Sequence, residues 1–203
     1  MHRILEAAKS VVPIVLSHND LVPGNIMLST PGGDARELRF IDFEYGGRDF
    51  LLFDVGNHWN EWAGSDHDFT RYPGPEAQRK FVEIFFDAIA AQCDDASRPD
   101  CALIRDASII DRAVVIANAM SLASNLAWAV WAVIQLTRSN IDFDYLRFCE
   151  RRVHRFLDTR DMFGTPFIEG VLRHHADAYP YPETVEQTHF LHKHSTITHN
   201  KYR

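Results

Sequence analysis

His18-Asn19-Asp20 is followed by Asn25, five positions beyond Asp20, and a second carboxylate comes later in Ile41-Asp42-Phe43. A carboxylate, a carboxamide and another carboxylate in that order suit phosphoryl transfer, which asks little covalent work of a protein. It needs one carboxylate to orient an attacking hydroxyl and accept its proton. It also needs oxygen ligands to hold magnesium against phosphate oxygens. In these terms Asp20 is the base, Asn25 a magnesium ligand through its amide oxygen, and Asp42 the main magnesium ligand. Taken singly, Asp and Asn beside Pro23-Gly24 are ordinary turn residues. Their conjunction with a strand-turn-strand and the second Asp gives the pattern its weight. His18 reads as a structural residue that hydrogen-bonds the loop.

These side chains need rigid elements around them. Pro13 to Leu16 is a short β-like run that delivers His18-Asn19-Asp20, and Leu21 to Asn25 is a loop punctuated by Pro and Gly. Ile26 to Leu28 and Leu38 to Phe43 read as the strands of a hairpin, with Pro31-Gly32-Gly33 in its turn. Asp20, Asn25 and Asp42 then sit at strand rims, where polar loop residues commonly carry function. After Gly46-Gly47 the pattern turns helical. Helices are expected over Phe53 to Trp62, and from Glu76 to about Gln92 with Phe81, Ile84, Phe85, Ala88 and Ile89 on one face. Cys101 to about Arg138 reads as two consecutive helices, and Phe143 to about Thr159 as the last. Beyond Phe163 the signal decays. The tail from Thr184 holds His189, His192, His194 and His199, with no carboxylate or cysteine pattern to make a metal site, and reads as a disordered extension.

The chain has 203 residues, 46% hydrophobic and 24% charged, with a formal net charge of -7. That supports one folded core and argues against a nucleic-acid or anionic-membrane binder, which would show a basic patch. Cys93, Cys101 and Cys149 are scattered without metal-ligand spacing, as in a reduced cytoplasmic protein. Ala113 to Leu136 is broken by polar residues, its longest apolar piece being Leu126 to Ile134. A bilayer asks for about 20 residues, so a buried helix is expected and no membrane span.

His18-Asn19-Asp20-Leu21-Val22-Pro23-Gly24-Asn25-Ile26 resembles the catalytic loop of choline and ethanolamine kinases. So do Ile41-Asp42-Phe43-Glu44-Tyr45, the run Phe53 to Trp62, and Leu122-Ala123-Ser124 with Trp128, Trp131, Gln135 and Ile141-Asp142-Phe143. The blocks keep the family's order from about residue 13 to residue 160. The resemblance implies an α+β fold: a protein-kinase-like C-terminal lobe, mostly α-helical, with a small β-hairpin carrying the catalytic and metal loops. It divides the chain into a lobe, residues 1–162, and a flexible extension, residues 163–203. The implied activity is ATP-dependent phosphorylation of ethanolamine, the first step of the CDP-ethanolamine route to phosphatidylethanolamine, with Mg2+ and with ATP as co-substrate.

Glu61, Trp128, Trp131, Phe143 and Phe148 match the family's amine-pocket positions, and His18 and Glu44 its loop supports. Trp128 and Trp131 are i, i+3 on one helix and share a face. Paired tryptophans are otherwise core packing; the resemblance favours the pocket. Asn60 to Gly64, Tyr72-Pro73 and Ile141 to Arg147 lean toward ethanolamine, as does Asp66 near the place where choline kinases tend to put an aromatic. Choline is the alternative substrate, and a non-catalytic amine-binding or partner fragment the alternative role. Asn125 stands where the family commonly has His. No Gly-rich loop precedes the catalytic loop, so the expectation is a lobe without its N-terminal partner lobe, poorly active alone. Homodimerisation or association with a full-length kinase is left open.

Overall fold

The computed structural model describes residues 14–29, 37–91 and 107–174. Among the described residues four short strands, β1 (Ile14–Ser17), β2 (Ile26–Ser29), β3 (Glu37–Phe40) and β4 (Gly47–Phe50), precede four α-helices. The helices are α1 (Phe53–Glu61), α2 (Pro75–Ala91), α3 (Ala107–Arg138) and α4 (Tyr145–His174). The strands make two antiparallel pairs. β1 lies on β4 with Ile14 opposite Phe50 and Ser17 opposite Gly47, and β2 lies on β3 with Ile26 opposite Phe40. The second pair is thus inserted between the partners of the first. The segments 18–25 and 41–46 are the two crossings between the pairs, so they run side by side. All three residues expected to do chemistry lie on these crossings.

α3 is the central helix and packs against α1, α2 and α4. Its sequence is apolar nearly all round, as a helix enclosed by others should be. Ala117, Met120 and Leu122 are fully buried with Trp59 of α1 and Val82 of α2. The stretch Ile109–Arg138 is long and apolar enough to cross a membrane, with a mean hydropathy of 1.5, but 56% of its most apolar window is buried inside the fold. α1 crosses α3 at Gly56, where a Cβ would come within 2.3 Å of the Ala117 carbonyl oxygen. Only hydrogen fits there.

Four element assignments differ from the sequence expectation. Gly47–Phe50 is a strand rather than the start of a helix, because pairing with β1 satisfies backbone groups that β1 would otherwise leave unmet. Over its described length α3 is one continuous helix, not two. It contains no Gly or Pro, and the polar residues that looked like interruptions bond within the helix: Asn118 Nδ2 to Val114 O at 3.0 Å, Ser121 Oγ to Asn118 O at 2.7 Å, Asn125 Nδ2 to Ser121 O at 2.9 Å. On α2 the buried stripe is Gln78, Val82, Phe86 and Ala90, with Ile84 and Ala88 exposed. α4 does not stop near Thr159 but runs through residue 162 to His174, with Pro166 inside it. Phe163 gives that extra length a partner by stacking on Tyr72, ring centroids 5.7 Å apart. The His-rich tail, Cys93 and Cys101 lie outside the described residues.

Candidate active site

α1 grips the first crossing by its backbone. Asp54 accepts the His18 N–H at 2.7 Å and the Asn19 N–H at 2.6 Å, one on each carboxylate oxygen. Asn57 Nδ2 donates to Asn19 O at 3.2 Å, and His58 Nδ1 donates to Leu21 O at 2.8 Å. His18 then ties the first crossing to the second. Ile41 O can only accept, so the His18 Nε2–H donates to it at 2.9 Å, leaving Nδ1 to accept the Asp20 N–H at 3.3 Å. Ile41 N donates to Asn25 O at 3.0 Å, which sets Asn25 beside Asp42.

Asn25 is buried, and its Nδ2 donates to Asp20 Oδ2 at 2.8 Å and to Asp20 O at 2.9 Å. This fixes the Asp20 carboxylate and leaves the Asn25 amide oxygen unspent. Asp42 is exposed and has left-handed backbone, φ 65°. The other non-glycine residues with positive φ among the described residues are Asn19 and His67, at 67° and 53°. All three belong to this site, and such backbone is held only where surroundings over-determine it. Burial raises the Asp20 pKa first, the charge of Glu61 next, while the Asn25 hydrogen bond and His18 pull the other way. A raised pKa makes Asp20 a stronger proton acceptor than a free aspartate.

Asn25 Oδ1 and the Asp42 carboxylate are hard oxygen donors on adjacent crossings. Among the described residues Asp42 has no ion pair, and no group of three or more His, Cys, Asp or Glu gathers as a metal site. Two protein oxygens suit Mg2+, which keeps waters and phosphate oxygens for its other positions, and suit Zn2+ poorly. The residues fit magnesium.

On the α3 side of Asp20 the aromatics gather. Trp128 and Trp131 meet edge-on at 5.3 Å, Tyr45 meets Trp128 at 5.3 Å, and Phe148 meets Trp131 at 5.9 Å. Phe143, 48% exposed, packs on Phe148 at 5.7 Å and forms the rim. The Trp indole N–H groups are spent on positioning: Trp128 Nε1 donates to Asn57 Oδ1 and Trp131 Nε1 to Tyr45 Oη, both at 2.9 Å. Glu61 is not free. Its Oε1 pairs with Arg152 Nη2 at 2.5 Å, and Arg152, 3% exposed, lies 4.9 Å over the Phe148 ring. Arg152 Nε and Nη1 are buried without a partner among the described residues. Glu61 Oε2 has no hydrogen bond among the described residues.

The structure therefore brings Asp20, Asn25, Asp42 and His18 together on the crossings, and Trp128, Trp131, Phe143 and Phe148 into one cage with Glu61 alongside. Glu44 is exposed and makes no hydrogen bond among the described residues; Asp54, Asn57 and His58 support the loop instead. Their place on the first turns of α1, which follows β4 closely in the chain, was the available signal. Tyr45 and Arg152 were also missed, and only packing reveals them. Asp66 takes no part in the cage, being held on the surface by Arg71 at 2.6 Å, which lowers its pKa. The neighbouring His67 meets Phe148 instead, at 5.0 Å. Burial, then Arg152, lowers the His67 pKa. Asn125 is buried, donating to Asn60 Oδ1 at 3.2 Å.

A helical lobe whose strand crossings carry a held Asp, an Asn and a second Asp has a protein-kinase-like fold. A solved Plasmodium vivax ethanolamine kinase superposes with TM-score 0.63 and 25% identity over 81% of this chain and 39% of that one. A Cryptosporidium parvum choline kinase shares the fold at TM-score 0.57 and 19% identity. The family described as choline/ethanolamine kinase matches residues 1–157, and the chain belongs to it. A probable ethanolamine kinase of Arabidopsis thaliana is 38% identical over 144 residues, which is 71% of this chain and 35% of that protein. Probable ethanolamine kinase A of Dictyostelium discoideum is 36% identical, over 74% of this chain and 39% of its own length. The chain thus spans well under half the length of these relatives.

Proposed function

We propose that this chain serves the phosphorylation of ethanolamine by Mg-ATP, Asp20 taking the proton of the alcohol while the aromatic cage holds the ammonium end. What supports the reading most is the contiguity of the two halves. Tyr45 joins them, its backbone oxygen accepting from Asn19 Nδ2 at 3.0 Å and its hydroxyl from Trp131 Nε1 at 2.9 Å. Trp128 and Trp131 offer faces to a cation, each worth about 0.5–2 kcal/mol, while Phe148 already carries the Arg152 guanidinium. Glu61 Oε2 and the carboxylates add acceptors that a primary ammonium, with three donors, can use. Asn25 and Asp42 would hold Mg2+, which supplies charge neutralisation at the phosphates. The relatives named ethanolamine kinases favour that substrate over choline, whose quaternary ammonium would use the aromatic faces alone.

The chain matches 35% and 39% of the length of the Arabidopsis thaliana and Dictyostelium discoideum relatives, and low turnover is proposed for this stretch assayed by itself. The lobe is proposed to extend past residue 162, since α4 continues there and carries Phe163 onto Tyr72, and the location is proposed as cytoplasmic. The test is phosphoethanolamine formation from ethanolamine and Mg-ATP, followed by 31P NMR. Slow formation that drops about 100-fold or more in Asp20→Asn is expected, in line with a general base. Equal rates in both proteins would contradict the assignment.

A further inference from the structure

Asn57 is fully buried on α1 and bonds in two directions at once. Its Nδ2 donates to Asn19 O, the carbonyl directly before Asp20, at 3.2 Å. Its Oδ1 accepts the Trp128 Nε1–H at 2.9 Å and the Ser124 Oγ–H at 2.7 Å. A carboxamide is the group that offers a donor on one corner and an acceptor on the other of one rigid plane. Hydroxyl groups are too short to span the gap, and a carboxylate lacks the donor.

We propose that Asn57 sets the distance between the amine cage and the Asp20 loop, and thereby selects amino alcohols by the length of the spacer between nitrogen and hydroxyl. This rests on the reading above, in which the cage takes the ammonium and Asp20 the hydroxyl. Asp54 and His58 also hold the loop to α1, but neither bonds the cage. Tyr45 does link the two, its backbone oxygen accepting from Asn19 Nδ2 and its hydroxyl from Trp131, but it is 37% exposed and spans them through a rotatable side chain. The Asn57 link is short, buried and three-bonded. With both ends fixed, a spacer of one length places its hydroxyl at Asp20, and a longer one does not.

The experiment is calorimetric titration of the wild-type chain, Asn57→Asp and Trp128→Phe with ethanolamine and with 3-aminopropan-1-ol. Asn57→Asp keeps the acceptor for Trp128 and loses the donor to Asn19. Trp128→Phe keeps an aromatic face and loses the N–H to Asn57. The two alcohols carry the same ammonium, so loss of cage contact cancels in the ratio of their affinities. The wild-type chain should prefer ethanolamine by about tenfold, within what one methylene is worth, and both variants should fall to within about threefold. A ratio unchanged in either folded variant, with only the melting temperature lowered, would show that Asn57 merely holds the fold. Equal wild-type affinity for the two alcohols would overturn length selection and leave the amino-alcohol reading standing. Wild-type chain that bound neither would overturn that reading and this inference with it.

Discussion

At the scale of residues, the loop is held by its backbone rather than by the groups that do chemistry. Asp54 receives two N–H bonds from His18 and Asn19, and bonds to charged groups contribute about 1.5–3 kcal/mol each. Asp54→Ala should lower stability by about 3–6 kcal/mol, and the His18 and Asn19 amides should exchange with solvent much faster by NMR. Unchanged exchange at those two amides would assign the grip elsewhere. Tyr72 gives a pH signature. Removal of its hydroxyl from water, where it donates to Asn118 Oδ1 at 2.8 Å, raises its pKa from 10.0 to about 12. The folded state thus favours the neutral phenol, a contribution complete below pH 10 and lost as pH rises from 10 toward 12. It amounts to at most about 2.7 kcal/mol. Urea melts at pH 9 and pH 11.5 should show that loss in the wild-type chain and a smaller one in Tyr72→Phe. Asp20, Asn25 and Asp42 were legible because their types and spacing have few other joint explanations. Asp54 and Asn57 were not, since a buried Asn or an Asp at a helix start says nothing of its partner until α1 is placed.

At the scale of elements, the site depends on how closely α1 approaches α3, and Gly56 controls that approach. Alanine normally stabilises a helix interior relative to glycine by about 0.5–1 kcal/mol. Here the added Cβ would clash with the backbone of Ala117 and Ser121, so Gly56→Ala should destabilise by about 3 kcal/mol, read from denaturant melts. A stabilised variant would contradict the packing. The polar band across this interface, Asn57, Asn60, Ser121, Ser124 and Asn125, is fully buried or nearly so. In sequence it resembled breaks in an apolar helix, because composition cannot distinguish a polar residue that ends a helix from one that bonds across to a neighbour. The pairing of β2 with β3 was readable from the two apolar runs either side of Pro31-Gly32-Gly33. β4 was not: Gly47-Arg48-Asp49-Phe50 has no strand character of its own, and only pairing with β1 makes it one.

At the scale of the whole molecule, the chain reads as one working surface. Two strand pairs supply the crossings, α1 holds them, and α3 with α4 supplies the cage. The family was legible because its motif blocks keep their order over most of the described lobe. The end of α4 was not, because a tertiary contact such as Phe163 on Tyr72 leaves no local signal in the sequence. The cage walled by Trp128 and Trp131 is proposed to take an ammonium group. Calorimetry of the chain with ethanolamine tests it most directly, against Trp131→Ala. Saturable binding that weakens by about tenfold in the variant, the loss of one cation–π contact of roughly 1.4 kcal/mol, is the predicted result. Absence of saturable binding, or equal affinity in Trp131→Ala, would contradict it.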